Sequence, residues 1–309
     1  MTGPVAAIDL GTNTCLLLVA VRDGPRLVPL AEELRVVRLG AGVERTGRLA
    51  ETAMNRAEEV FREYRRIIES FECQQVRCVA TSAFREASNG YELRRRIRAA
   101  TGYDLTAITG QEEAHWVLRA VQEALPQGVG RRIIVDVGGG STEIIMEDGG
   151  QLGAVESLRM GSVRLTERWL HHDPPLPEEL KAVQADIDGV LTRSALRRDV
   201  DTLVGVGGTA TTFVAMDLQL STYDHRQVHG ANLTRATLEL SLHRCGALPY
   251  AERVKLPGLH PGRADIILAG GLILMGLMDH FHRQELVVSD RGLRWGVLGE
   301  MLASPEGQA

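Results

Sequence analysis

The chain has 309 residues, 44% of them hydrophobic and 24% charged, with a formal net charge of −5. That length supports two domains with ample cores, and the composition is that of a globular protein rather than a disordered or fibrous one. The mild acidity excludes bulk electrostatic capture of nucleic acid or membrane, so any polyanion has to be bound locally.

In chain order, residues 5–40 read as three strands, with turns at 11–14 and 22–25. Residues 49–71 carry apolar side chains at helical spacing, among them Ala53, Ala57, Val60, Tyr64 and Ile68. A strand at 76–81 leads into a loop beginning at Ser82, then an arginine-rich helix at 90–100, a short strand at 105–108 and a helix from Gly110 to about 125. Residues 126–130 are the natural linker. The second half repeats the theme. A hairpin around Asp136 continues into a strand at 153–158, helices follow at about 163–171 and 177–196, and a strand at 202–206 runs into Gly207-Gly208-Thr209 and a helix. Further helices are expected at 234–244 and 264–281, a last strand at 286–289 and a closing helix at 293–302. The domains are expected at 1–125, completed by the C-terminal helix at 293–309, and at 126–292.

Two stretches stand out. Residues 132–150 read RIIVDVGGGSTEIIMEDGG: a buried strand bearing Asp136, a turn of Gly138, Gly139, Gly140 and Ser141, and a returning strand that starts with Glu143. Glycines there allow positive φ and close approach of a ligand, and successive amides in such a turn form an anion-binding concavity. Carboxylates beside a phosphate repel it unless a hard cation bridges them. Residues 8–14, IDLGTNT, align without a gap on residues 135–141, VDVGGGS, so Asp9 corresponds to Asp136 and Gly11, Thr12 and Asn13 to the second turn. Glu143 stands where the first copy has Leu16, and that added carboxylate points to metal binding or chemistry in the second copy. For either hairpin alone an ordinary β-turn is the simpler reading; the duplication favours paired phosphate sites.

The four cysteines fit no zinc spacing and are expected to be reduced and structural, as in the cytoplasm. No basic segment precedes an apolar one at the N-terminus, so no signal peptide is expected. The longest apolar run, residues 266–278, is too short to span a membrane and suits a buried helix. His225 and His229 are four apart but flanked by loop residues, so no zinc site is expected. The loop at 205–210 fits the loose G-x-G-x-x-G/A pattern, but the acidic residue about 20 positions on, Asp224, sits in a loop, and a dinucleotide site is rejected.

The stretches AIDLGTNT, ATSAFREA, ITGQEEA, IVDVGGGSTE, LVGVGGTATT, VHG and VVSDRGLR, in that order, resemble the exopolyphosphatase/guanosine pentaphosphate phosphohydrolase family. The resemblance covers nearly the whole chain and looks like the short form, without the C-terminal helical domain of longer members. It implies an α/β fold of the actin-like, sugar-kinase-like ATPase (ribonuclease H-like) type, with two domains, duplicated mixed sheets and an interdomain cleft. It implies Mg²⁺-dependent release (Mn²⁺ being the alternative ion) of terminal phosphate from polyphosphate or pppGpp, no nucleic-acid or membrane partner, and a homodimer.

The resemblance also distributes roles. Glu113 matches the family's catalytic glutamate; on the residues alone, Glu112 and Glu113 would only complement a helix dipole. Arg85 is expected to contact a phosphate, where a planar guanidinium suits two oxygens. Asp136 and Glu143 are the expected metal ligands. Asp9, Gly11, Thr12 and Asn13, with Gly138 to Ser141, are expected to bind phosphates. Gly207, Gly208 and Thr209 would approach a nucleoside or distal phosphate. The arginines of the 90–100 helix read more simply as a solvated face than as a polyphosphate track. A guanosine tetra- or pentaphosphate-binding regulator with little turnover is the alternative from a different class.

Overall fold

The computed structural model describes residues 3–24, 26–125 and 130–303, so Pro25 of the expected second turn and residues 126–129 of the expected linker lie outside the described residues. The chain divides into two compact units, residues 1–120 with 292–309, and residues 121–291.

In the first unit β1 (Val5–Leu10), β2 (Thr14–Asp23) and β3 (Arg26–Val36) form an antiparallel meander. After α1 (Val43–Thr46) and α2 (Glu51–Ser70), β4 (Gln75–Ala80) runs parallel to β1. After α3 (Ser82–Glu86) and α4 (Gly90–Thr101), β5 (Leu105–Ala107) runs parallel to β4, giving the order β3-β2-β1-β4-β5. The central strand is covered on both faces, so Val5, Ala6, Ala7, Ile8 and Leu10 are all buried, which accounts for an apolar strand interrupted only by Asp9. One face of α2 is buried on this sheet, where the Tyr64 hydroxyl donates to the Cys15 carbonyl at 2.8 Å. The division between units falls within α5 (Gly110–Ala124).

The second unit repeats the plan. β6 (Arg131–Val137), β7 (Thr142–Asp148) and β8 (Gln151–Leu158) form the meander. After α6 (Ser162–Trp169) and α7 (Pro177–Leu191), β9 (Thr202–Val206) pairs parallel to β6. Then come α8 (Gly207–Asp217), α9 (His225–Val228), β10 (Asn232–Thr234), α10 (Arg235–Ala247), α11 (Tyr250–Arg253), a 3₁₀ turn at Pro261–Arg263, α12 (Ile267–His280) and β11 (Glu285–Ser289). The order is β10-β11-β9-β6-β7-β8. α12 is apolar on all sides because α6, α7, α8 and α10 pack around it. α13 (Leu293–Ala303) returns to the first unit and packs on β1 and β2.

Several boundaries differ from expectation. The expected loop after β4 is the five-residue α3, a single turn too short to show periodicity. The helix expected to reach 196 stops at Leu191, and the one expected from 264 begins at Ile267 because residues 261–263 form the 3₁₀ turn. β10 and α11, three and four residues long, escaped for the same reason as α3. All four cysteines are free, and burial pushes the thiols of Cys73 and Cys245 up to about 11, leaving both protonated at neutral pH. No helix among the described residues is long and apolar enough to cross a membrane.

Candidate active site

The two hairpins are built alike. Asp9 lies opposite Leu16 on β2 and beside Val79 on β4; Asp136 lies opposite Glu143 on β7 and beside Val206 on β9. Each turn closes by the same backbone hydrogen bond, Gly11 N–H to Thr14 O at 2.9 Å and Gly138 N–H to Ser141 O at 3.0 Å. The gapless alignment of the two sequences is thus also a register in space, with Glu143 on the Leu16 position. Glu143 is 1% exposed and accepts from the Ser157 hydroxyl at 2.7 Å. Burying a carboxylate across from a second carboxylate is costly unless a cation or donors compensate. Burial of Ile133, Ile134, Val135 and Val137, roughly 1.5–3 kcal/mol each, holds β6 and hence Asp136 in place.

In the second unit the carbonyls of the three turn glycines are all held from one side. Gly138 O accepts from the amide of Ser162 at 2.9 Å and from its hydroxyl at 3.2 Å, and Gly139 O from the amides of Val163 and Arg164 at 2.9 and 3.1 Å. Gly140 O accepts from Arg164 Nε at 2.7 Å. In a planar trans peptide the C=O and the following N–H point in opposite directions. The amides of Gly139, Gly140 and Ser141 are therefore turned away from α6, and among the described residues they find no acceptor. Three consecutive outward N–H groups are the geometry that suits an anion. The approach leaves no room at Gly161, where a Cβ would stand 2.4 Å from Gly139 O.

The third loop abuts Asp136. Gly207 has φ +75°, and a Cβ there would come 2.3 Å from Asp136 Oδ1. Thr209 Oγ1 donates to Val137 O at 2.9 Å, tying the first turn of α8 to the end of β6. Arg263 Nη1 donates to Gly208 O and to Thr212 Oγ1, both at 2.9 Å.

In the first unit the Thr12 carbonyl accepts from Gly40 N–H at 2.8 Å, and Asn13 O accepts from Val37 and Arg38 N–H at 2.9 and 2.8 Å. Arg38 adopts φ +48° to make this contact, a left-handed conformation uncommon for a residue with a side chain. Among the described residues Asp9 Oδ1 is buried with no hydrogen-bond partner, and burial pushes its carboxyl up to about 6 against the opposing pull of Arg294. The two acids opening α5 have separate surroundings. Glu112 accepts from the amide and hydroxyl of Thr109 at 2.7 and 2.8 Å, a capping box whose hydrogen bonds pull its carboxyl down. Glu113 is 6% exposed, and its Oε2 lies 3.9 Å from Arg85 Nη1, which donates to Ile108 O at 2.5 Å.

Within each unit, then, the expected residues gather as sets: Asp9 with Gly11, Thr12 and Asn13; Arg85 with Glu113; and Asp136, Glu143, the 138–141 turn and Gly207 to Thr209. The arginine-rich α4 is engaged with acids, Arg94 to Asp104 at 2.7 Å and Arg96 to Glu51 at 2.5 Å, in keeping with a solvated face. His225 begins the short α9, whereas His229 follows it and accepts from the Asp290 amide at 3.3 Å. Sequence reasoning missed Arg164, bonded to the carbonyl of Gly140 in the turn, and Arg263, bonded to that of Gly208 in the first turn of α8. Each is one arginine among many, Arg164 inside the amphipathic α6 and Arg263 just ahead of the apolar α12, and neither setting marks it in the sequence.

Residues 17–305 match the model of the Ppx/GppA phosphatase family. Exopolyphosphatase 2 of Mycobacterium tuberculosis is 34% identical over 310 residues, covering 95% of this chain and 97% of that protein. The crystal structure of an Aquifex aeolicus Ppx/GppA family member superposes with a TM-score of 0.81 at 36% identity, covering 97% of both chains. An exopolyphosphatase structure from Cytophaga hutchinsonii gives 0.89 at 28% identity, again over 97% of both. The fold is the α/β actin-like ATPase fold with duplicated mixed sheets, and the family's enzymes hydrolyse phosphoanhydrides. On the match along its length and the likeness of its structure, this chain belongs to the Ppx/GppA phosphatase family.

Proposed function

We propose that this chain is an exopolyphosphatase that releases terminal phosphate from inorganic polyphosphate with the help of a divalent cation. The observation that carries this reading is the second hairpin, where three outward amides lie at the end of a strand pair bearing Asp136 and Glu143. A polyphosphate end is a row of anionic oxygens, for which such amides and a bridging cation are the matching partners.

No cluster of three or more His, Cys, Asp or Glu among the described residues can hold a metal by itself. Two facing carboxylates still fit Mg²⁺, which keeps several waters and takes its other ligands from phosphate. Mn²⁺ suits the same oxygen set. The bound cation would neutralise charge on the phosphate oxygens. Asp136 and Glu143 would hold it, with Asp9 orienting water. Gly139, Gly140 and Ser141, with Gly11, Thr12 and Asn13, would hold phosphate oxygens, and Gly207, Gly208 and Thr209 a more distal group. Glu113 would orient the attacking water and take its proton. Arg85, with one N–H committed to Ile108 O, has further donors to orient Glu113 and to meet developing charge on the phosphoryl group.

The test is phosphate release by the purified protein with Mg²⁺, offered polyphosphate and pppGpp in parallel. Release from polyphosphate that Glu113→Gln abolishes supports the reading. Release from pppGpp alone assigns the same chemistry to the nucleotide. Tight guanosine tetra- or pentaphosphate binding without release assigns a regulator. A homodimer in the cytoplasm belongs to this reading, and sedimentation at working concentration tests the assembly.

A further inference from the structure

We propose that Arg164 is a positioning residue for phosphate binding, acting through the peptide between Gly140 and Ser141. The proposal rests on the reading of the 138–141 turn as an anion cradle.

The carbonyls of the three glycines in that turn are held differently. Gly138 O and Gly139 O are bound by backbone amides of residues 162 to 164, which nearly any sequence would supply, the Ser162 hydroxyl adding to the first. Gly140 O is bound by the Arg164 side chain, at 2.7 Å from Nε. The orientation of the Gly140–Ser141 peptide thus depends on the identity of residue 164. Three consecutive glycines offer little intrinsic resistance to a peptide flip. A flip here would turn the Ser141 N–H from the outer face towards α6 and remove one of three donors. Arg164 is 6% exposed and its Nε is committed to Gly140 O, on the side of the turn opposite the outward amides. Arg263 likewise donates to Gly208 O in the first turn of α8, which the Thr212 hydroxyl also reaches at 2.6 Å, so the second unit sets an arginine against a glycine carbonyl twice.

The experiment uses the full-length protein, labelled with ¹⁵N in glycine and serine, titrated with inorganic phosphate. It compares wild type, Arg164→Met and Arg164→Lys, with steady-state kinetics on polyphosphate alongside. In wild type the amides of Gly139, Gly140 and Ser141 all shift with phosphate. In Arg164→Met the Ser141 shift is lost while that of Gly139 persists, phosphate affinity falls about tenfold, as expected for one hydrogen bond, and KM rises while kcat changes little. Arg164→Lys, which keeps a donor and the charge, recovers part of the loss. A Ser141 response that survives in Arg164→Met overturns the role of Arg164 and leaves the cradle standing. Equal loss of all three responses with a lowered melting temperature also overturns it, by making Arg164 a general structural support. Wild type with no amide response overturns the cradle itself and Arg164's role with it. If Arg164→Met does not fold, Arg164→Lys and Arg164→Gln carry the same comparison, because only the lysine variant retains a cation.

Discussion

Arg85 Nη1 lies 3.9 Å from Glu113 Oε2 while donating to the Ile108 carbonyl at 2.5 Å. The guanidinium is tethered by backbone, so it stands beside a nearly buried carboxylate in a fixed place. Its neighbour in the chain, Glu112, commits Oε2 to the amide and hydroxyl of Thr109. The two acids of the same helix start are therefore separable by experiment. Glu113→Gln keeps the shape and removes the base, and kcat for phosphate release is expected to fall by about 10²–10⁴ with modest change in KM. Glu112→Gln leaves kcat nearly intact and lowers stability by roughly 0.5–1 kcal/mol in a denaturant melt, through the weakened cap.

Glu143→Leu converts the second hairpin to the pattern of the first, where Leu16 occupies the matching register. The buried carboxylate is replaced by a side chain that β2 already accommodates. The metal-free variant is expected to melt at or above the wild-type temperature, because a buried anion facing Asp136 is removed. Mg²⁺ is expected to raise the melting temperature of wild type and to leave the variant unmoved, since a ligand stabilises only the state that binds it. Phosphate release is expected to drop at least about a hundredfold, a loss of about 3 kcal/mol or more of transition-state stabilisation. A variant that still gains stability and activity from Mg²⁺ would remove Glu143 from the ion's ligands.

The fold and the hairpin geometry of the candidate site were legible because strands and turns write themselves locally. The apolar runs of β1 and β6, the glycines after them and the gapless match of residues 8–14 with 135–141 are all short-range signals, and the register reproduces them. What stayed hidden depends on distant partners. Nothing in the sequence around Arg164 or Arg263 says that a glycine carbonyl 24 or 55 residues away is its acceptor. Likewise, the pair Glu112-Glu113 looks like two equivalent helix-start acids. Only the capping role of Thr109, a T-x-x-E box that was there to be read, separates them.

Gly207→Ala tests the contact between the third loop and Asp136. The position combines φ +75° with a Cβ that would stand 2.3 Å from Asp136 Oδ1. Alanine there is strained by roughly 1 kcal/mol or more for the backbone alone, and the carboxylate has to move as well. The variant is expected to lose stability by about 1–3 kcal/mol in a denaturant melt and to need a higher Mg²⁺ concentration for half-maximal activity. Gly208→Ala is expected to act differently, by displacing the Arg263 guanidinium 2.3 Å from its Cβ, with little effect on the Mg²⁺ requirement.

Asp9 sets a pH dependence of the metal-free protein. Its carboxyl is pushed from 3.8 to about 6, first by burial, with Arg294 opposing. Between those values the native state holds a proton that the unfolded chain has released. The group's favourable contribution is therefore complete below about 3.8 and is lost as pH rises through about 6, after which it stays lost. The full difference is about 3 kcal/mol as a ceiling, reduced by the solvent that reaches the partly exposed side chain. Asp9→Asn abolishes the titration. Relative to wild type, the metal-free variant is expected to become progressively more stable from pH 4 to pH 7 and to hold a constant advantage above that, read from urea melts at each pH. A stability difference that is flat across this range would mean that Asp9 is ionised at an ordinary pH despite its orphaned Oδ1. The same substitution is expected to reduce phosphate release at pH 7.5, where the wild-type carboxylate is charged, so that stability gained and activity lost come from one atom group.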